Sequence, residues 1–333
     1  MKPFNAGPAR QRGVALIIAL ILVALATILA TKLSFDGFLE LRRTTGVLAA
    51  EQALHFGMGA EALAADVLMQ DLQTSANNTT LAGPWAQATQ PLPITPDNNP
   101  EGEPIGTMQG VLEDMQGRFN LNSLARLGSD GLEDPRPLQQ FQRLLVSVGL
   151  EPKWAGLARD WLDQDDTVGN PDGAEDAVYT SQTPPYRTAN WPMMSPTELM
   201  NLPGFGADRY RKIAPYITAL PNANLKINLC TAPALVLESI VEGLNGEWSN
   251  SPAVLANGRK TGCFPDVQTF KNVATSFAGP TALEKEGSDI GTSSSYFQLT
   301  TRVMLGTTEF TLYSLLVRGT TKVTPLLRSF GTL

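Results

Sequence analysis

Residues 10–32 read RQRGVALIIALILVALATILATK, and the fate of this stretch decides the fold. Two arginines and a glycine lead into an uncharged run over residues 14–30, closed by Lys32. As a helix the run rises about 26 Å, slightly short of a hydrocarbon core of about 30 Å, so residues 31–35 complete the span while the Lys32 ammonium snorkels. Lys2, Arg10 and Arg12 keep the leading side in the cytoplasm and place everything after residue 35 across the membrane. The 333-residue chain carries 25 basic and 32 acidic residues; without the first thirteen positions, 22 basic stand against 32 acidic, a net charge of −10. So acidic a body has no field with which to hold nucleic acid by phosphate neutralisation. A single histidine, His55, and two cysteines leave too few soft ligands for a four-ligand zinc site, and Ser-His-Asp chemistry drops out with them. With 43% of positions hydrophobic, the chain has the means to build one elaborated domain or two ordinary ones.

A secretory signal peptide, cut among the small residues of 24–30, and an uncleaved anchor are the ordinary readings of such a start. The order here is a short basic leader, Gly13, then at once the apolar helix from Val14. It resembles the class III leader of type IV pilins and pseudopilins. That resemblance implies cleavage between Gly13 and Val14 by a prepilin peptidase on the cytoplasmic side, methylation of the new terminus, and retention of the helix. One position departs from the family pattern: most pilins carry Glu at the fifth mature position, where this chain has Ile18. In the filament that carboxylate is thought to compensate the amino terminus of the subunit nearer the tip, and burying it unpaired costs several kcal/mol. A subunit with nothing above it needs no such group, so Ile18 fits a tip position.

Residues 14–72 contain no proline, and Leu48, Leu54, Met58, Leu63, Val67, Leu68 and Leu72 recur at helical spacing. They predict one long helix: a membrane segment over residues 14–35, then an amphipathic continuation, residues 36–82, that needs a domain to pack on. His55 reads as a packed or surface imidazole. Six prolines among Asn, Asp, Gln and Thr make residues 83–104 an extended connector. Residues 107–114 predict a strand, Gln116-Gly117 a turn, and residues 118–122 an alternating segment. Residues 296–305, a Gly306-Thr307-Thr308 turn and residues 309–318 predict a hairpin, and Pro325 confines a strand over residues 323–330 to a sheet edge. The intervening residues 123–294 are helical in pattern. Leu138, Phe141, Leu144, Leu145 and Val148 mark one helix, ending near Gly149, and Trp154, Leu157, Ala158, Trp161 and Leu162 the next. Ser195-Pro196-Thr197-Glu198 is a capped helix start. The expected fold is α+β: a long N-terminal helix on a small antiparallel sheet, residues 105–122 and 295–330, into which a large all-α domain is inserted.

Residues 160–176 hold Asp160, Asp163, Asp165, Asp166, Asp172, Glu175 and Asp176 and no Lys or Arg. Such crowding calls for a hard cation, and carboxylates with backbone carbonyls in a Gly/Asn/Pro loop suit Ca²⁺ better than Mg²⁺. A solvated acidic loop is the plain alternative. An EF-hand does not fit: with Asp163 and Asp165 in its first and third positions, Val168 stands where Gly is required and Ala174 where the bidentate Glu belongs. The order Asp-Trp-Leu-Asp-x-Asp, a Gly/Asn/Pro stretch, Gly173-Ala174-Glu175-Asp176 and Tyr179 is similar to the calcium-binding segment of the K-class minor pseudopilins of type II secretion. Gly117-Arg118-Phe119-Asn120-Leu121-Asn122, residues 195–202 and Ile227-Asn228-Leu229-Cys230-Thr231-Ala232 also look like that family and occur in its order. The resemblance implies Ca²⁺ ligands drawn from Asp163, Asp165, Asp166, Asp172, Glu175 and Asp176, with Glu198 a capping partner rather than a ligand.

Residues 201–206 (NLPGFG), followed by Arg209, Arg211 and Lys212, resemble a helix-hairpin-helix turn, and residues 227–232 the opening of such motifs in DNA-uptake proteins. A membrane-tethered DNA reader is therefore the rival reading. Three cations on a body of net −10 are too few to release several counterions, so both hairpins read as structural. Cys230 and Cys263, in an oxidising compartment, default to a disulfide, with two buried thiols as the alternative. No glycine-rich phosphate loop, nucleophile elbow or metal-hydrolase His pair is present. The K-class resemblance implies a non-enzymatic minor pseudopilin, anchored once in the bacterial inner membrane with its bulk in the periplasm. It would cap the pseudopilus with I-class and J-class minor pseudopilins, contact other pseudopilins and the inner-membrane assembly platform, and help export folded proteins; nucleic acid is not an expected partner.

Overall fold

The computed structural model describes residues 12–75, 78–87, 90–96, 101–128, 130–243, 247–250, 255, 257–259, 262–264, 266–278 and 289–331. Residues 1–11 of the expected leader lie outside the described residues. Free of proline, the chain forms one helix, α1 (Arg12–Thr74). Val14, Leu16, Ile17, Ile18, Leu20 and Leu25 each expose more than half of their surface, and the helix is long and apolar enough to cross a membrane. Water would tolerate such a surface poorly; lipid or packed apolar helices would not. The Thr27 and Thr31 hydroxyls donate to the Val23 and Thr27 carbonyls, so both polar groups are satisfied within the helix.

In chain order the strands are β1 (Leu92–Ile94), β2 (Gly106–Asp114), β3 (Phe119–Asn120), β4 (Ile217–Thr218), β5 (Ile227–Asn228), β6 (Ile290–Gly291), β7 (Tyr296–Leu305), β8 (Thr308–Arg318) and β9 (Val323–Phe330). β1, β2, β7, β8 and β9 form one antiparallel sheet in that order, and β9 is the expected edge. Alternation puts Phe297, Leu299, Val303, Leu312 and Leu316 on the face covered by α1. The helix meets them mainly with small side chains: Ala53, Gly57, Ala60 and Ala64, with Leu68 beyond. Leu48, Met58 and Leu63, expected on the packed face, remain exposed. The reason is steric. The sheet supplies the bulk, and at Gly57 a Cβ would lie only 3.1 Å from Leu312 Cδ2.

Residues 83–104 are more than a connector. Trp85, in a 3-10 turn (Pro84–Ala86), is buried with its ring 5.3 Å from that of Phe297, and Ile94 in β1 is buried as well. Prolines that signal an extended linker are equally compatible with an outermost strand, whose free edge asks for no N–H donor. Residues 118–122, expected beside β2, leave the sheet. The Asp114 carboxylate accepts from the Gln116 backbone N–H at 2.9 Å and turns the chain, after which β3 pairs in parallel with β4. Phe119 and Leu121 then sink into the core of the inserted region.

That core is built by α2 (Pro135–Ser147), α3 (Trp154–Leu162), α4 (Asp176–Tyr179), α5 (Gly206–Ile213), α6 (Ala234–Ile240) and the helix Val267–Ala278, around Phe141, Leu144, Trp161, Leu199, Leu237 and Phe270. Ser195 and Glu198 form the expected reciprocal cap, on a 3-10 helix (Pro196–Asn201) rather than an α-helix. Where the insertion meets the sheet, Asp114 Oδ2 accepts from Asn228 Nδ2, Thr231 Oγ1 and Ser294 Oγ at 2.9, 2.6 and 2.6 Å. Beside it Arg318 donates to Asp71, Thr79 and the Ser294 carbonyl. Complete burial raises the Asp114 carboxyl above its usual range even though these donors act to lower it.

Candidate metal centre

The acidic stretch begins in the last turn of α3, with Asp160 inside the helix and Asp163 as its C-cap, where the backbone turns extended. Asp160 is fully buried, and its Oδ2 accepts from the Gly169 backbone N–H at 2.8 Å. The loop closes tightly over that carboxylate. A Cβ at Gly169 would strike Asp160 and Arg159, and one at Gly173 would strike Asp160 and the Gly169 backbone, while the Gly173 N–H donates to the Gly169 carbonyl at 2.7 Å. The loop then delivers Glu175, only 4% exposed, to the same neighbourhood.

Among the described residues, neither Glu175 oxygen has a hydrogen-bond partner, and the same holds for Asp160 Oδ1, Asp163 Oδ1 and the Tyr179 hydroxyl. Burial, and then the charge of Asp160, push the Asp163 and Glu175 carboxyls up to about 7. Burial raises Asp160 too, against the Gly169 hydrogen bond that lowers it. Buried acceptors without donors are expensive, and several on converging carboxylates fit a hard cation that prefers oxygen. No three His, Cys, Asp or Glu side chains among the described residues are already gathered into a metal cage. The donor chemistry, oxygen only and partly unpartnered, suits such an ion, although these carboxylates are not gathered into a cage.

Asp163 and Glu175 of the expected ligand pool come together this way. Asp165, Asp166 and Asp172 are exposed on the loop, and Asp165 Oδ1 accepts from the Thr167 N–H at 2.7 Å. Asp176 faces elsewhere: its Oδ1 accepts from the Thr188 N–H and hydroxyl at 3.1 and 3.0 Å, and its Oδ2 lies 3.5 Å from Arg187. The expected pool omits Asp160, which is the most deeply buried acid here; its spacing from Asp163 is the signal that points to it. Trp161, Tyr179 and Tyr186 wall one side, with ring centroids 5.4 to 6.5 Å apart. Trp161 Nε1 donates to Glu198 Oε2 at 3.3 Å, while Glu198 Oε1 accepts from the Met194 and Ser195 N–H groups, so Glu198 is engaged as a cap.

At the hairpin, Arg209 donates to the Gly204 and Phe205 carbonyls at 2.7 and 3.0 Å, and Arg211 pairs with Asp208 at 2.7 Å. Two of the three cations that suggested a DNA reader thus serve the local fold. Cys230 and Cys263 are bonded to each other. Gly13 and Val14 both lie in the first turn of α1.

A family model described as type II secretion system (T2SS), protein K, matches residues 117–222, a span that includes the acidic loop and the Ser195 cap. The chain is 37% identical over 232 residues to the type II secretion system protein K of Aeromonas hydrophila, 67% of each chain. It is 35% identical over 319 residues to that of Pseudomonas aeruginosa, 93% of this chain and 89% of the other. One chain of the crystal structure of the GspK-GspI-GspJ complex from the enterotoxigenic Escherichia coli type 2 secretion system superposes with a TM-score of 0.72 at 25% identity. That match covers 87% of this chain and 100% of that chain.

Proposed function

The chain belongs to the type II secretion system protein K family, and from that premise we propose that it caps the tip of the pseudopilus, where it helps start the fibre and drive folded proteins through the outer membrane. The observation that carries this reading is the insertion between Asp114 and Tyr296. These residues end and begin β2 and β7, which are neighbours in the sheet, so a whole helical domain hangs from the side of a pilin-like body. Apolar helices such as residues 14–35 stack closely along a thin fibre, and a body this broad leaves no room for the next copy. Ile18, with no carboxylate to offer a subunit above, supports the same position. The helix would be freed by prepilin peptidase at Gly13 and methylated, and would start in the inner membrane with the rest of the chain in the periplasm. The DNA-reader reading is not favoured, since the hairpin arginines are engaged and the body is acidic.

The role proposed for the acidic loop is structural. Asp160, Asp163 and Glu175 would hold Ca²⁺, with Asp165, Asp166 and Asp172 as candidates from the exposed loop; the ion supplies positive charge to oxygens that otherwise lack partners. Gly169 and Gly173 let the backbone close on Asp160, and Tyr179 and Trp161 shield one side from water. The loop would thereby fix α3 against α4.

The companions would be I-class and J-class minor pseudopilins, as in the Escherichia coli complex. Full-length protein in mild detergent is expected to co-purify with both at equal stoichiometry when the three are expressed together. Elution of this chain alone, with I and J recovered as a separate pair, would contradict the assignment.

A further inference from the structure

We propose that Arg159 is a built-in counter-cation that sets the cation affinity of the carboxylate pocket, and that Glu133 holds it back from the pocket. The inference rests on the calcium reading above and deepens it. Arg159 lies next to Asp160 and is largely buried, its side chain 13% exposed. Its Nη1 pairs with Glu133 Oε2 at 3.1 Å, while its Nε stands 3.8 Å from Asp160 Oδ1 and has no hydrogen-bond partner among the described residues. The guanidinium therefore sits between two acids, ion-paired with the half-exposed Glu133 and standing off from Asp160. Gly169 closes the other side, since a Cβ there would strike both the Arg159 guanidinium and Asp160.

Glu133 is placed to act as a tether. Its backbone forms an isolated bridge with Leu127, and the next residue, Asp134, caps α2 and pairs with Arg126 and Arg136 at 2.6 and 2.7 Å. The tether therefore starts from a rigid, ion-paired corner. A fixed positive charge this close opposes a divalent cation, and the opposition grows if the guanidinium turns fully onto Asp160. Arg159 thus weakens binding, and Glu133 relieves part of that weakening.

Calcium affinity is read on the full chain in detergent by competition against terbium, whose luminescence Trp161 and Tyr179 sensitise. Arg159→Met is expected to lower the calcium Kd on the order of tenfold, and Glu133→Gln to raise it by a similar factor. Glu133 also acts on the ion directly through space, so the double variant decides the matter: once Arg159 is gone, Glu133→Gln is expected to lose most of its effect. An unchanged or raised Kd in Arg159→Met, or a Glu133→Gln effect equal in both backgrounds, overturns the proposal. Should Arg159→Met fail to fold, Arg159→Gln takes its place in the single and double variants, and a Kd no tighter than wild type in Arg159→Gln overturns the proposal. If the wild type shows no saturable site, the calcium reading falls and this inference with it; if the wild type binds and the variants do not shift as stated, this inference falls alone.

Discussion

Stripping divalent cations with excess EGTA is expected to lower the melting temperature of the full-length protein by about 5–10 °C, and readded Ca²⁺ is expected to restore it. The size follows from linkage. An ion present at about 100 times its Kd stabilises the fold by about 2.7 kcal/mol, and each kcal/mol moves the midpoint of a chain this long by about 2–4 °C. Without the ion, neither Glu175 oxygen nor Asp163 Oδ1 has a donor to face among the described residues, and burial first, then the charge of Asp160, pushes both carboxyls up to about 7. Asp163→Asn together with Glu175→Gln removes both the charge crowding and the ligands. The double variant is expected to melt at one temperature with or without chelator. A wild type indifferent to EGTA would return the loop to an ordinary solvated one.

Arg318→Met is expected to be the most damaging single substitution in the sheet, at about 3–5 kcal/mol. Arg318 and Asp71 are 4% and 1% exposed, their ion pair is 2.9 Å long, and the guanidinium lies 4.8 Å from the centre of the Phe297 ring. Its donors join four stretches of chain: Asp71 near the end of α1, Thr79 beyond it, Ser294 returning from the insertion, and β8 itself. Removing the cation leaves Asp71 charged and buried, and Asp71 Oδ1 already lacks a hydrogen-bond partner. The control is Arg302→Met, which breaks an exposed pair with Glu309 and should cost at most about 1 kcal/mol. Equal losses in urea unfolding of the two variants would show that the Arg318 cluster does not hold the sheet and insertion together.

The parts of the fold with a long period were legible in the sequence. A proline-free run gave α1, strict alternation gave the β7–β8 hairpin, and Pro325 marked the edge strand. What escaped notice lacks a local signal. The packed face of α1 is chosen by the sheet, whose bulky Leu312 and Phe297 demand Gly57 and the alanines, so the large leucines of the helix point elsewhere. β3, β4, β5 and β6 are two residues each, too short for any periodicity, and their pairing is set by long-range packing. At the acidic loop, composition revealed the charge crowding but not its geometry. Asp160 counts for more than Asp176 because glycines at 169 and 173 let the chain fold onto it, whereas Thr188 and Arg187 draw Asp176 away.

The most direct test is to locate the chain on isolated pseudopili with an antibody against the inserted domain, viewed by electron microscopy. A subunit whose side domain blocks stacking should label one end of each fibre and nowhere else. Labels spaced regularly along the shaft would contradict the account.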